Sequence, residues 1–97
     1  MDKRTVNSVK KAIQAVKNVV DVRDPTGKCV EATISPSIFI DDRGLLHISG
    51  EDGYMFVDYY GEFRGGYPWI DPRLEEIAKA HHCYFEWDNP GSICLVD

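Results

Sequence analysis

The chain has 97 residues, 43% of them hydrophobic and 28% charged, which suits one domain of a soluble globule and leaves no room for a second. This balance excludes a fibre or a disordered tail, and no stretch approaches the ~18 uninterrupted apolar residues of a membrane span. The net charge of −5 disfavours non-specific attraction to nucleic acid or anionic lipid and favours a basic partner.

The charge is uneven. Residues 1–20 set Lys3, Arg4, Lys10, Lys11 and Lys17 against Asp2 alone, whereas the remaining 77 residues hold 6 basic and 15 acidic side chains. The start Met-Asp-Lys-Arg-Thr lacks the apolar run of an export signal. The 3 cysteines, Cys29, Cys83 and Cys94, cannot all pair with one another. Both features lead to the expectation of a reducing, cytoplasmic setting.

In chain order, Val6, Val9, Ile13, Val16 and Val20 recur at steps of 3 and 4, which predicts an amphipathic helix over residues 5–20 capped by Thr5 or Asn7. Residues 21–28, with Asp24-Pro25 and Gly27, predict a turn-rich connection. From Lys28 the period becomes two: Val30, Ala32 and Ile34 mark a half-buried strand, and Ser37 to Ile40 a second one beyond Pro36. Asp41-Asp42-Arg43-Gly44 reads as a turn, Leu45 to Ser49 as a strand, residues 49–53 as another turn, and Tyr54 to Tyr60 as a long aromatic strand. This order predicts an antiparallel meander. Residues 61–70 read as irregular. Asp71 as N-cap and Pro72 at the first helical position open a second helix near residues 72–82. Strands at Cys83–Trp87 and Ser92–Val96 then flank the turn Asp88-Asn89-Pro90-Gly91. The expected architecture is a single α+β domain over residues 1–97, an antiparallel sheet of about 4–6 short strands packed with both helices.

Four constellations could carry chemistry. Seven of the eleven aromatic residues fall between 54 and 69, around Gly61-Glu62-Phe63-Arg64-Gly65-Gly66-Tyr67-Pro68-Trp69. Aromatics with a lone arginine make interface anchors, while closure of a small core accounts for the same rings without a partner. The acidic run Asp41, Asp42, Glu51, Asp52, Asp58 and Glu62 is relieved only by Arg43. Its turns lie about 15–17 Å apart at strand rise, too far for a catalytic carboxylate pair. The run could offer a row of negative charge resembling a phosphate backbone, or serve only solubility. His81, His82, Cys83 and Cys94, with His47 more distant, lack the paired short spacings of a zinc site, and no metal or other cofactor is expected. The lysines of the first helix are too few for a nucleic-acid signature. No phosphate loop, dinucleotide fingerprint, nucleophile elbow or metalloprotease motif is present, so no catalytic residues are assigned.

The stretch Asp58-Tyr59-Tyr60-Gly61-Glu62-Phe63-Arg64-Gly65-Gly66-Tyr67-Pro68-Trp69-Ile70, followed by Tyr84-Phe85-Glu86-Trp87-Asp88-Asn89-Pro90-Gly91, resembles a small bacterial family of unknown function associated with plasmids, phages and other mobile elements. The resemblance implies an accessory or inhibitor protein, similar to anti-restriction and anti-CRISPR proteins that act on nucleic-acid-binding host complexes. It implies no catalytic residues.

The expectation is a non-catalytic acidic protein that occupies a basic protein surface through Asp41, Asp42, Glu51, Asp52, Asp58, Tyr60, Glu62, Arg64, Tyr67 and Trp69. Direct nucleic-acid binding is disfavoured, membrane association is not expected, and an exposed strand edge would also support a homodimer. The alternative is a nucleic-acid or small-ligand module that stacks on the aromatic strand and meets a phosphate with Arg64.

Overall fold

The computed structural model describes residues 1–51, 56–61 and 68–97. The fold is α+β, with two helices and eight strands among the described residues, every strand pair antiparallel. Helix α1 spans Lys3–Gln14, followed by strands β1 (Asn18–Arg23), β2 (Cys29–Ile34), β3 (Ser37–Ile40), β4 (Leu46–Ser49), β5 (Val57–Asp58) and β6 (Trp69–Ile70). Helix α2 (Pro72–Ala80) and strands β7 (Tyr84–Asn89) and β8 (Ser92–Val96) complete the chain. The main sheet has the order β3-β4-β8-β7, and β1-β2 and β5-β6 form two separate two-stranded ribbons.

α1 starts earlier and stops sooner than the valine spacing predicts. Asp2, not Thr5 or Asn7, is the N-cap, its carboxylate accepting from the backbone N–H of Arg4 at 2.6 Å and Thr5 at 3.3 Å. The periodic valines run past the true end at Gln14, because Val19 and Val20 are taken into β1 and pair with Thr33 and Ala32 of β2. β-branched residues lose little in a strand, and the turn Asp24 to Lys28 supplies the reversal that lets two strands meet. There Asp24 accepts from the N–H groups of Thr26 and Lys28 at 3.0 and 2.9 Å.

The meander also ends sooner than expected. β3 and β4 form a hairpin, but β4 pairs on its other side with β8 from the far end of the chain. Of the expected aromatic strand, Val57–Asp58 is a strand, Tyr59 and Tyr60 form a turn, and residues 54 and 55 lie outside the described residues. Trp69–Ile70, expected to be irregular, pairs with Val57–Asp58 as β6. Gly50 makes the crossing possible: a Cβ there would stand 2.9 Å from Val57 Cγ2, and its N–H donates to Gly91 O at 2.8 Å.

α2 follows its punctuation. Asp71 accepts from Arg73 N–H at 2.9 Å, Pro72 opens the first turn, and His82 at φ 59 reverses the chain into β7. The core lies between the helices and one face of the main sheet. Val6, Val9 and Ile13 of α1 and Leu74 and Ala78 of α2 bury against Leu46, Ile48, Ile93 and Leu95. Period-two alternation then sends Phe39, His47, Cys94 and Glu86 to the opposite face, where they form one row across all four strands.

Candidate functional site on the open sheet face

This opposite face is more polar than its strands suggest, and it is built around His47. The five-residue connection 41–45 sets the register that places His47 opposite Phe39, and the two rings stack at 4.6 Å with an interplanar angle of 2°. His47 is 3% exposed, while Phe39 at the outer strand is 47% exposed. Asp41 holds the turn: its Oδ1 accepts from the N–H groups of Arg43 at 2.9 Å and Leu45 at 3.0 Å. Its Oδ2 accepts from Arg43 Nη2 at 3.0 Å and His47 Nε2 at 2.8 Å. An ionised carboxylate only accepts, so Nε2 is the donor in this bond. Nδ1 is buried without a hydrogen-bond partner, 3.9 Å from Asp88 Oδ2.

The hydrogen bond from His47, with those from Leu45 and Arg43, holds the Asp41 carboxyl well below its ordinary value of 3.8. In return Asp41 raises the Arg43 guanidinium further, so this ion pair stays charged at neutral pH. Cys94 is the neighbour of His47 on β8, but burial raises its thiol, and Asp88 and Asp41 add to the effect. The thiol is therefore kept neutral, the opposite of an activated nucleophile. Cys83 is likewise raised by burial, and Cys29 is exposed. A thiol reagent is accordingly expected to modify one of the 3 cysteines, Cys29, rapidly in the folded protein, and the other two only on unfolding. Two rapid equivalents would show that the open face admits reagent to Cys94.

The expected site residues fall in different places. Asp41 and Asp42 lie in the turn beside His47, with Asp42 exposed. Glu51 is exposed beside the β7–β8 turn, where its Oε1 would stand 3.3 Å from a Cβ at Gly91. Asp58 is 1% exposed and opposite Trp69 in the β5–β6 ribbon, so its carboxylate is withdrawn from any acidic surface. Tyr60 is 55% exposed and meets Tyr59 edge-on, while Tyr59 meets Trp87 at 5.1 Å. Trp87 belongs to the core-facing row, so these rings gather on the opposite side of the sheet from His47. Asp52, Glu62, Arg64 and Tyr67 lie outside the described residues.

Across the β7–β8 turn Trp87 does not pair directly with Ser92. Trp87 faces Ile93, a bulge follows, and Asn89 faces Ser92. This one-residue slip puts Cys83 with the core and Cys94 on the open face, which separates the two thiols. His81 directs Nδ1 to Ile77 O at 2.8 Å, and among the described residues no group of three or more His, Cys, Asp or Glu side chains is placed to hold a metal ion.

Phe39, Glu86 and Asp88 are not among the candidates drawn from the sequence, and His47 enters only as a distant metal ligand. A signal existed: two strands joined across Asp41-Asp42-Arg43-Gly44 must set a ring of one against a ring of the other once the register is known. Glu86 and Asp88 needed the pairing of β8 with β4, which is remote in sequence. On this face Tyr84, 52% exposed, donates its hydroxyl to Glu86 at 3.3 Å, and Glu86 and Asp88 are themselves exposed. Among the described residues no helix is long and apolar enough to cross a membrane. Compared with known proteins, the chain matches no protein-family model, no curated protein and no solved structure.

Proposed function

We propose that the chain is a small acidic, non-catalytic binding protein whose open sheet face occupies a basic surface of another protein. The target class is a host complex that uses this surface to bind nucleic acid, so the chain acts as an inhibitor by occupying the place of a phosphate backbone. The observation that carries the reading is the face itself. Phe39 and Tyr84 stand 47% and 52% exposed beside the exposed carboxylates of Glu86 and Asp88, with Asp42 in the adjoining turn. Arg43, the cation next to them, is bridged to Asp41 at 3.0 Å. Exposed rings among carboxylates suit arginine and lysine side chains, which stack on the rings and pair with the acids. The same charge repels a phosphate backbone, which weighs against the stacking-platform alternative.

The test is capture from bacterial lysate at low and high salt, with bound proteins identified by mass, followed by competition with duplex DNA for the captured protein. Phe39→Ala is expected to weaken binding roughly 5–30-fold, the scale of an anchor truncation of about 1–2 kcal/mol. Glu86→Lys combined with Asp88→Lys should abolish capture at low salt, since the rim would then repel a basic surface. Equal recovery by wild type and both variants would overturn the assignment of this face. A change in tryptophan fluorescence on adding single-stranded oligonucleotide, with no protein captured, would favour the stacking-platform alternative.

A further inference from the structure

Among the described residues β3 and β7 are the outer strands of the main sheet. An outer strand directs a row of N–H and C=O groups sideways and templates another strand unless charge, proline or a covering element prevents it. β3 has little such protection within it: its four residues are Ser37-Ile38-Phe39-Ile40, with Phe39 47% and Ile40 42% exposed.

Each outer strand borders a groove beneath a helix. Between α2 and β7 is a groove of about 390 Å3 lined by Ile70, Glu75, Glu76, Lys79, Tyr84 and Phe85. Between α1 and the β3–β4 turn is a groove of about 350 Å3 lined by Lys3, Val6, Asn7, Ile40 and Arg43. The second groove is the more apolar; Glu75 and Glu76, with Lys79 beside them, line the first, and Lys3 and Arg43, the latter bridged to Asp41, line the second. The two grooves also lie at the same end of the sheet. Ile40 pairs with Leu46, and Phe85 pairs with Leu95; each pair is one step from the His47–Cys94 row in the same direction, so Ile40, Leu46, Leu95 and Phe85 make one row.

Strand direction completes the geometry. All three pairings in the sheet are antiparallel, so its four strands alternate in direction and β3 runs opposite to β7. A second copy placed beside the first in the same orientation therefore offers its β3 antiparallel to β7, with its helices on the same side. Its cationic groove then meets the acidic groove, and Ile40 of the second copy comes level with Phe85. Pairing β3 with the β3 of another copy would instead turn one strand end for end and bring the Ile40 groove against the Ser37 end, where no such match exists.

We infer that this chain self-associates head to tail, β3 of one copy adding to β7 of the next, with Lys3 and Arg43 set against Glu75 and Glu76. The contact joins two different surfaces, so each added copy leaves one outer strand of each kind free and the assembly grows with concentration. An even shift in register preserves which face is buried, whereas an odd one would turn Ile40 to the open face.

Sedimentation velocity on the full chain, from micromolar to millimolar concentration at low and high salt, tests the inference. The mass is expected to rise beyond a dimer with concentration and to fall with salt. Glu75→Lys with Glu76→Lys, and separately Lys3→Glu with Arg43→Glu, should each weaken association at least tenfold while far-ultraviolet circular dichroism stays unchanged. Mixing the two reversed proteins should restore assembly, because every junction between unlike copies again sets acid against base. A monomer at every concentration, a mass that stops at two, or wild-type association that survives both reversals would overturn it.

Discussion

Truncation of Ile48 to alanine is expected to lower the free energy of unfolding by about 2–5 kcal/mol, the range for removing a buried branched side chain. Ile48 is 0% exposed at the centre of β4, facing Ile38 on one side and Ile93 on the other, within the cluster that both helices cover. A central strand cannot shift to fill the space without breaking two ladders at once, so the upper half of the range applies. A domain of this size is stable by only ~5–15 kcal/mol, so much of the reserve goes. The melting temperature should fall by about 14–40 °C, at ~4–8 °C per kcal/mol for small domains. Urea unfolding should show a lower midpoint at unchanged slope. Val19→Ala is the control: Val19 is 64% exposed, and its loss should change the midpoint little. Equal effects from the two substitutions would mean that the cluster around Ile48 is not the core.

Replacing His47 should have the second largest effect, and its pH dependence identifies the cause. His47→Ala removes a buried ring that stacks on Phe39 and donates to Asp41, an expected loss of about 2–4 kcal/mol. His47→Phe keeps a ring in the stack but cannot donate, so it should recover the packing part only. The Asp41 carboxyl is held below its ordinary value of 3.8, with His47 as the largest cause. A depressed folded-state carboxyl contributes stability that is present above the unfolded value and is lost as the pH falls towards the folded one. The wild type should therefore lose stability progressively below pH 3.8, and His47→Phe should lose less over the same interval. Urea midpoints at neutral, mildly acidic and strongly acidic pH measure this. Parallel profiles for the two proteins would show that the bond to Asp41 contributes nothing to folding.

Much of the fold was legible in local chemistry. The second helix announced itself through Asp71 and Pro72, and the described helix starts where they place it. The reversal at Asn89-Pro90-Gly91 and the strand holding Val30, Ala32 and Ile34 were equally readable, because turn geometry and strand period act over a few residues, but Val30, expected on the buried side, is exposed. Val16 and Val20 misled for the complementary reason. Val20 is claimed by β1, where it pairs with Ala32 of β2, a partner that a local pattern does not reveal, and Val16 lies between the two elements and packs against the core.

The open face shows the same division. The acidic balance beyond residue 20, the basic balance before it and the α+β class were all readable along the chain, since charge and hydrophobic period are properties of residues and their neighbours. So was the turn that holds Asp41 and Asp42, because that turn is local. Packing and long-range pairing were needed to bury Asp58, to part Cys83 and Cys94 to opposite faces, and to bring Glu86 and Asp88 to the face of His47. The last two depend on β8 crossing the chain to pair with β4 and on the register of β7 with its bulge, whereas Asp58 is buried in the β5–β6 ribbon. A one-residue change in register moves a side chain from core to solvent, and contacts remote in sequence set that register.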